Sequence, residues 1–150
     1  MNKSLVETLC QKIQSQLECA CEYYPDIQND TTLAIPPDRI EDVIKLLEED
    51  KNDIHLSTIT AQQRENHPDE IEVMYHFYLK DGFSLLTSIP CKDPQLPSIV
   101  SIIPGADFYE REVAEMFGVK FIGRSETPRL LLPEDWDQGP PFVKNEVKDD

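Results

Sequence analysis

The chain has no run of apolar residues approaching the roughly 18–20 that cross a bilayer, which excludes direct membrane insertion by a helix as an expectation. It is short of positive charge: Lys and Arg number 14 against 29 Asp and Glu, a formal net charge of −15. Nucleic acid is thereby excluded as the default partner, since phosphate backbones demand a basic patch that releases counterions. Docking on anionic lipid heads through a polybasic surface is excluded for the same reason. The opening Met1-Asn2-Lys3-Ser4 runs into an amphipathic pattern with no apolar signal core. The expected location is therefore the cytoplasm, with Cys10, Cys19, Cys21 and Cys91 reduced. No internal repeat is visible. What is present, 150 residues of which 39% are hydrophobic, suffices for one domain with a buried core.

Periodicity assigns the elements. Residues 4–24 read as a helix opened by a capping box, Ser4 with Glu7, with Leu5, Leu9, Ile13 and Leu17 along one stripe and Pro25 and Asp26 as its stop. Residues 30–35 form a β-prone run closed by Pro36-Pro37. Asp38 is the expected N-cap of a second helix, whose Ile40, Val43, Ile44 and Leu47 fall at i, i+3, i+4 and i+7. Residues 54–60 read as a strand, and 71–79 alternate cleanly, with Asp81-Gly82 turning the chain into a partner strand over 83–89. The apolar run 98–103 reads as a further strand. A third helix spans about 107–117 and stops at Gly118, followed by short β-prone pieces at 119–122 and 130–132. The fold class implied is α+β, a compact two-layer sandwich with helices packed on a mostly antiparallel sheet. Residues 1–132 form the domain and 133–150 an extended, acidic, proline-rich tail.

The third helix carries the most information. Tyr109, Val113, Met116 and Phe117 share one face, which predicts the core side. Glu110 and Glu112 flank that stripe on opposite edges, where packing partly desolvates them and calls for a cation or backbone N–H. Arg111 and Glu115 stand one turn apart and are expected to pair. Arg124 and Arg129, just downstream, are the candidate counterions within the chain.

The run Tyr109-Glu110-Arg111-Glu112-x-x-Glu115-Met116-Phe117-Gly118-Val119-x-Phe121-x-Gly123 resembles the signature of the C subunit of respiratory complex I, the 30 kDa-type subunit of NADH–quinone oxidoreductase. Relatives of that subunit occur in membrane-bound nickel–iron hydrogenases. The resemblance extends upstream through Pro97-Ser98-Ile99-Val100 and Pro104-Gly105-Ala106, and downstream through Arg129-Leu130-Leu131, Pro133-Glu134-Asp135-Trp136 and Gly139-x-Pro141-Phe142. It departs where the family has His-Pro and a pair of arginines: here Arg124 holds the His position and Pro128 the first arginine. Those departures favour a divergent assembly over a typical NADH-oxidising one.

What the resemblance implies is a subunit of an oxidoreductase with no active site of its own and no flavin, iron–sulfur cluster or metal. It implies docking on the large D-type or hydrogenase-large-subunit-like partner, beside other hydrophilic-arm subunits, in a complex peripheral on the inner face of the cell membrane. The residues expected to serve that interface are Glu110, Arg111, Glu112, Glu115, Arg124 and Arg129, with Trp136 and Phe142 as aromatic anchors in the tail. The end of the tail, residues 145–150, is expected to be disordered.

Other chemistries find less support. Iron–sulfur ligation needs four thiolates at tight spacings, whereas Cys19 and Cys21, on the helix expected here, diverge by about 200°. His55, His67 and His76 lack partners for zinc or catalysis. A free-standing binding or hydrolytic domain would use Glu110 and Glu112 as an acid–base pair, but no other residues build a substrate pocket around them.

Overall fold

The computed structural model describes residues 3–27, 30–49, 54–79, 81–125 and 129–143. The expected capping box of Ser4 with Glu7, the place of Leu5 in the first stripe and the end of the tail at 145–150 fall outside the described side chains. Among the described residues the order is helix α1 (Lys3–Gln16), strands β1 (Glu22–Ile27) and β2 (Asp30–Ala34), helix α2 (Ile40–Glu49), and strands β3 (His55–Gln63), β4 (Glu70–Leu79), β5 (Asp81–Pro90) and β6 (Gln95–Pro97). Helix α3 (Asp107–Phe117) and strand β7 (Lys120–Ile122) follow. This is the α+β class anticipated from the pattern.

The main sheet has the order β1-β2-β5-β4-β3. All its pairings are antiparallel except β2 with β5, whose Thr31 to Ala34 run alongside Phe83 to Leu86. The alternation read along 71–79 sends Ile71, Val73, Tyr75 and Phe77 to the buried face. There they meet Phe83, Leu85 and Ile89 of β5, Leu33 of β2 and Ile59 of β3, all at most 2% exposed. The Phe77 and Phe83 rings stack with centroids 5.4 Å apart. The helices supply the second layer: Val6, Cys10 and Ile13 from α1, and Ile40, Val43, Ile44, Leu46 and Leu47 from α2, join the same core. The sheet's other face is partly polar and carries the exposed Tyr24 and Tyr78. There His76 lies within 2.8 Å of both Thr60 and Ser84, a ladder of hydrogen bonds across three strands.

Three expectations are corrected. The first helix does not reach residue 24: it ends at Gln16, Glu18 adopts a left-handed backbone (φ 49°), and residues 22–27 become an edge strand. Tyr23 and Tyr24 favour the pleated surface, and Pro25, which lacks an N–H, is tolerated at a sheet edge. Cys19 and Cys21 therefore lie in a connection, not on a helix. Asp38 is not an N-cap, because a 3-10 turn, Pro37–Arg39, precedes α2. The run 98–103 is not a strand. The short strand is Gln95–Pro97, after which the chain winds into turns that bring the N–H groups of Ile102 and Ile103 to the Ile99 carbonyl.

Candidate functional site: helix α3 and its charged shoulders

Helix α3 starts from a 3-10 turn, Pro104–Ala106, and ends at Gly118, whose left-handed backbone (φ 73°) lets its N–H reach the Ala114 carbonyl at 2.9 Å. Asp107 and Glu110 in the first turn suit the positive end of the helix dipole. The buried stripe is Ala106, Glu110 and Val113, spaced at i, i+4 and i+7, with Glu110 fully buried. Tyr109, Met116 and Phe117 are only half-buried. The helix is thus rotated toward Glu110 relative to the face its apolar residues alone define, because a ligated carboxylate packs inward.

That ligation is built by the two-stranded parallel sheet. Strands β6 and β7 run side by side, Gln95 beside Lys120 and Pro97 beside Ile122, so the residues that follow each strand emerge at one end. Ser98 follows β6, and its N–H donates to the Ile122 carbonyl at 2.8 Å. Gly123, with φ 95°, turns the chain after β7 and delivers Arg124. The Ser98 hydroxyl donates to Glu110 Oε1 at 2.7 Å, the Ile99 N–H donates to Oε2 at 2.7 Å, and Arg124 reaches Oε1 at 3.2 Å. Arg124 also pairs with Asp107 through its other terminal nitrogen. Burial pushes the Glu110 carboxyl above the ordinary glutamate range, against the Ile99 N–H, Ser98 hydroxyl and Arg124 guanidinium that favour its ionised form. Among the described residues the buried Tyr75 hydroxyl has no hydrogen-bond partner, and burial together with the Glu110 charge pushes its pKa far up.

At the other end of α3, Glu115 accepts the backbone N–H groups of Leu130 at 3.0 Å and Leu131 at 2.7 Å. Desolvation works to raise its pKa, but those N–H groups, with that of Leu132 and the Arg129 charge, hold it below the ordinary range. The segment 129–143 doubles back on the helix end. Phe142 donates its N–H to the Met116 carbonyl at 3.0 Å and packs its ring against Phe117, centroids 5.7 Å apart. Arg129 donates to the Trp136 carbonyl at 2.9 Å, and the Trp136 indole to the Gly139 carbonyl at 2.7 Å. Together they border a cavity of about 450 Å³ lined by Ala114, Glu115, Arg129, Trp136, Asp137, Gly139 and Pro140.

Of the residues singled out in the sequence, Arg124 meets Glu110 as expected. Arg129 does not: it serves the tail and Glu115. Arg111 pairs with Asp107 at 3.8 Å, not with Glu115, whose oxygens turn to the backbone of 130–131. Glu112 is half-buried, and among the described residues no hydrogen bond or ion pair reaches its carboxylate. Glu110, with both oxygens ligated and no exposed surface, is not accessible to a substrate as one half of an acid–base pair. Sequence reasoning missed Asp107, Ser98 and the Ile99 N–H. Their local signal is an acidic first helical residue and a hydroxyl beside Pro97, and neither specifies a partner. Among the described residues no group of three His, Cys, Asp or Glu side chains is arranged to hold a metal ion, and no helix is long and apolar enough to cross a membrane.

Comparison with known proteins shows the family and the fold. Residues 33–149 match the family described as respiratory-chain NADH dehydrogenase, 30 Kd subunit. The NADH-quinone oxidoreductase C subunit of Roseiflexus castenholzii is 29% identical over 138 residues, which cover 89% of this chain and 79% of that protein. The NADH-quinone oxidoreductase C/D subunit of Methylococcus capsulatus is 42% identical over 76 residues, 49% of this chain and 13% of that much longer one. Among solved structures, a trypsin-resistant fragment of Nqo5 superposes with a TM-score of 0.67 at 18% identity, over 81% of this chain and 98% of the fragment. A chain of the membrane-bound sulfane sulfur reductase, an archaeal respiratory membrane complex, gives the same TM-score at 24% identity, over 94% and 79%. With more than three-quarters of its length inside the family match, and with the helix signature in place, this chain belongs to the 30 Kd subunit family of respiratory-chain NADH dehydrogenase.

Proposed function

We propose that this chain is a non-catalytic hydrophilic subunit of a membrane-associated electron-transfer complex, which docks on the large D-type subunit and stabilises it. The observation that carries the reading is where apolar surface is left uncovered. Of the large hydrophobic side chains exposed among the described residues, Phe108, Ile122, Leu131 and Phe142 belong to α3 and the segments after it, each 48–60% exposed. A half-apolar surface with charged neighbours suits a protein interface. The Glu112 carboxylate, unpartnered within the described residues, is the group of α3 left for a cation on the partner, whereas Glu110, Glu115 and Arg124 act from within by fixing the helix and the tail. The Methylococcus relative, whose name joins C and D in one chain, supports a D-type neighbour.

On this reading Trp136 and Phe142 hold the tail in the shape the partner meets, and the role of the chain is to supply rigidity. Electron transfer and quinone chemistry next door depend on fixed geometry. Association is with the inner, cytoplasmic face of the membrane through the complex, beside the other hydrophilic-arm subunits. The departures at Arg124 and Pro128 favour a second form of the same reading, in which the assembly is of hydrogenase type.

The test is co-purification of the large subunit with tagged chain from its native membranes. Glu112→Ala should weaken recovery, and truncation after Leu132 should abolish it. Undiminished recovery with both variants overturns the docking role.

A further inference from the structure

Helix α1 and the connection that leads into strand β1 bring two sulfur atoms together. The Cys10 and Cys21 side chains are both about 5% exposed, and their Sγ atoms lie 2.9 Å apart. That separation is well inside the roughly 3.5–4 Å at which non-bonded heavy atoms rest, and well outside a covalent S–S bond of about 2.05 Å. The surrounding contacts hold the two segments at this approach. The Cys10 thiol also points at the Cys21 carbonyl at 3.5 Å, and the Gln14 amide, one helical turn on, donates to that same carbonyl at 2.8 Å. The Arg39 guanidinium ties the end of α1 by donating to the Leu17 carbonyl.

We propose that Cys10 and Cys21 are a redox-responsive pair that closes to a disulfide on exchange with a small-molecule disulfide, fastening α1 to the connection that leads into the edge strand of the sheet. In the first step one cysteine thiolate attacks a sulfur of the reagent, whose S–S bond breaks and releases one thiolate that takes up the proton. In the second, the other cysteine attacks the protein sulfur of that mixed disulfide and expels the remaining thiol. The protein loses two protons and two electrons, and the reagent gains both, leaving as two thiols. Burial, followed by the contact with Cys10, raises the Cys21 pKa far above the ordinary thiol range, so Cys21 is a slow initiator. Cys19, half-exposed and two residues away, is the competing thiol.

The pair is independent of the docking surface on α3, so neither proposal's failure touches the other. The experiment equilibrates the full chain with graded ratios of reduced and oxidised glutathione, quenches with acid, alkylates free thiols and maps the peptides. The expected result is loss of two hydrogens in the intact mass, with the Cys10 and Cys21 peptides recovered joined and the Cys19 and Cys91 thiols alkylated. Cys10→Ser should abolish the joined peptide and Cys19→Ser should leave it. The wild-type map decides even where a variant fails to fold. Alkylation of both Cys10 and Cys21 at every ratio, a persisting glutathione adduct on either, or a bridge that uses Cys19 overturns the proposal.

Discussion

Glu110 is the residue on which α3 turns, and its cost and worth are separable. Replacing it with Ala leaves Arg124, whose side chain is only 11% exposed, with Asp107 as its one remaining carboxylate among the described residues, and leaves the Ser98 hydroxyl and Ile99 N–H without their acceptor. Breaking a buried pair in this way costs about 3–5 kcal/mol. Gln keeps one acceptor oxygen but turns an amide donor toward other donors, for about 1–3 kcal/mol. Both are read from the urea midpoint at fixed m-value. Because the folded carboxyl holds its proton to higher pH than the unfolded one, the folded state binds more protons across that interval. Glu110 therefore contributes stability below the ordinary glutamate range that is lost as pH rises through its folded pKa. Subtracting the Glu110→Gln profile from wild type should expose that downward slope. Tyr75 gives a simpler case: its buried hydroxyl has no partner among the described residues, so Tyr75→Phe should be neutral or raise stability by about 1 kcal/mol in the same titration.

At the scale of elements, the contact between α3 and the returning tail rests on Gly118. Its φ of 73° disfavours any side chain, and a Cβ there would lie 2.7 Å from Pro140 Cγ. Gly118→Ala should cost about 1–2 kcal/mol for the left-handed backbone alone, and it should free the 136–143 segment, seen as faster amide exchange at Phe142. Acid should act on the same contact. Glu115 is held below the ordinary range by the backbone N–H groups it accepts, so its contribution is present above the unfolded pKa and is lost as pH falls through the folded one. Protection of the Leu130 and Leu131 amides should fall over that interval, and Glu115→Gln should flatten the loss. The long alternation of β4 and the i, i+3, i+4, i+7 pattern of α2 were legible because one periodicity governs many residues. The strand over 22–27 was not, because its apolar and aromatic residues continue the helical stripe and nothing local announces the left-handed Glu18. The buried place of Glu110 was hidden for a related reason: its partners come from 98–99 and 124, brought together by two strands of three residues each, whose pairing no local pattern encodes. The family resemblance located α3 as the informative element, and the geometry then showed that most of its charges are spent inside the chain.

For the whole molecule, the strongly acidic balance would leave the proposed docking to apolar patches and a few placed charges, among them the exposed Phe108, Ile122, Leu131 and Phe142. A different consequence follows from the one parallel pairing in the sheet. Strand β2 ends at Ala34, but the neighbour that completes it, β5, begins at Asp81. During synthesis the first hairpin emerges and waits while α2, β3 and β4 are made, since only β5 bridges the two halves of the sheet. A chain stopped at residue 80 should therefore show no cooperative unfolding by circular dichroism, while one continued through β7 should. Delay of that kind hands the ribosome-bound N-terminal half, with its bare strand edges, to whatever chaperone reaches it first.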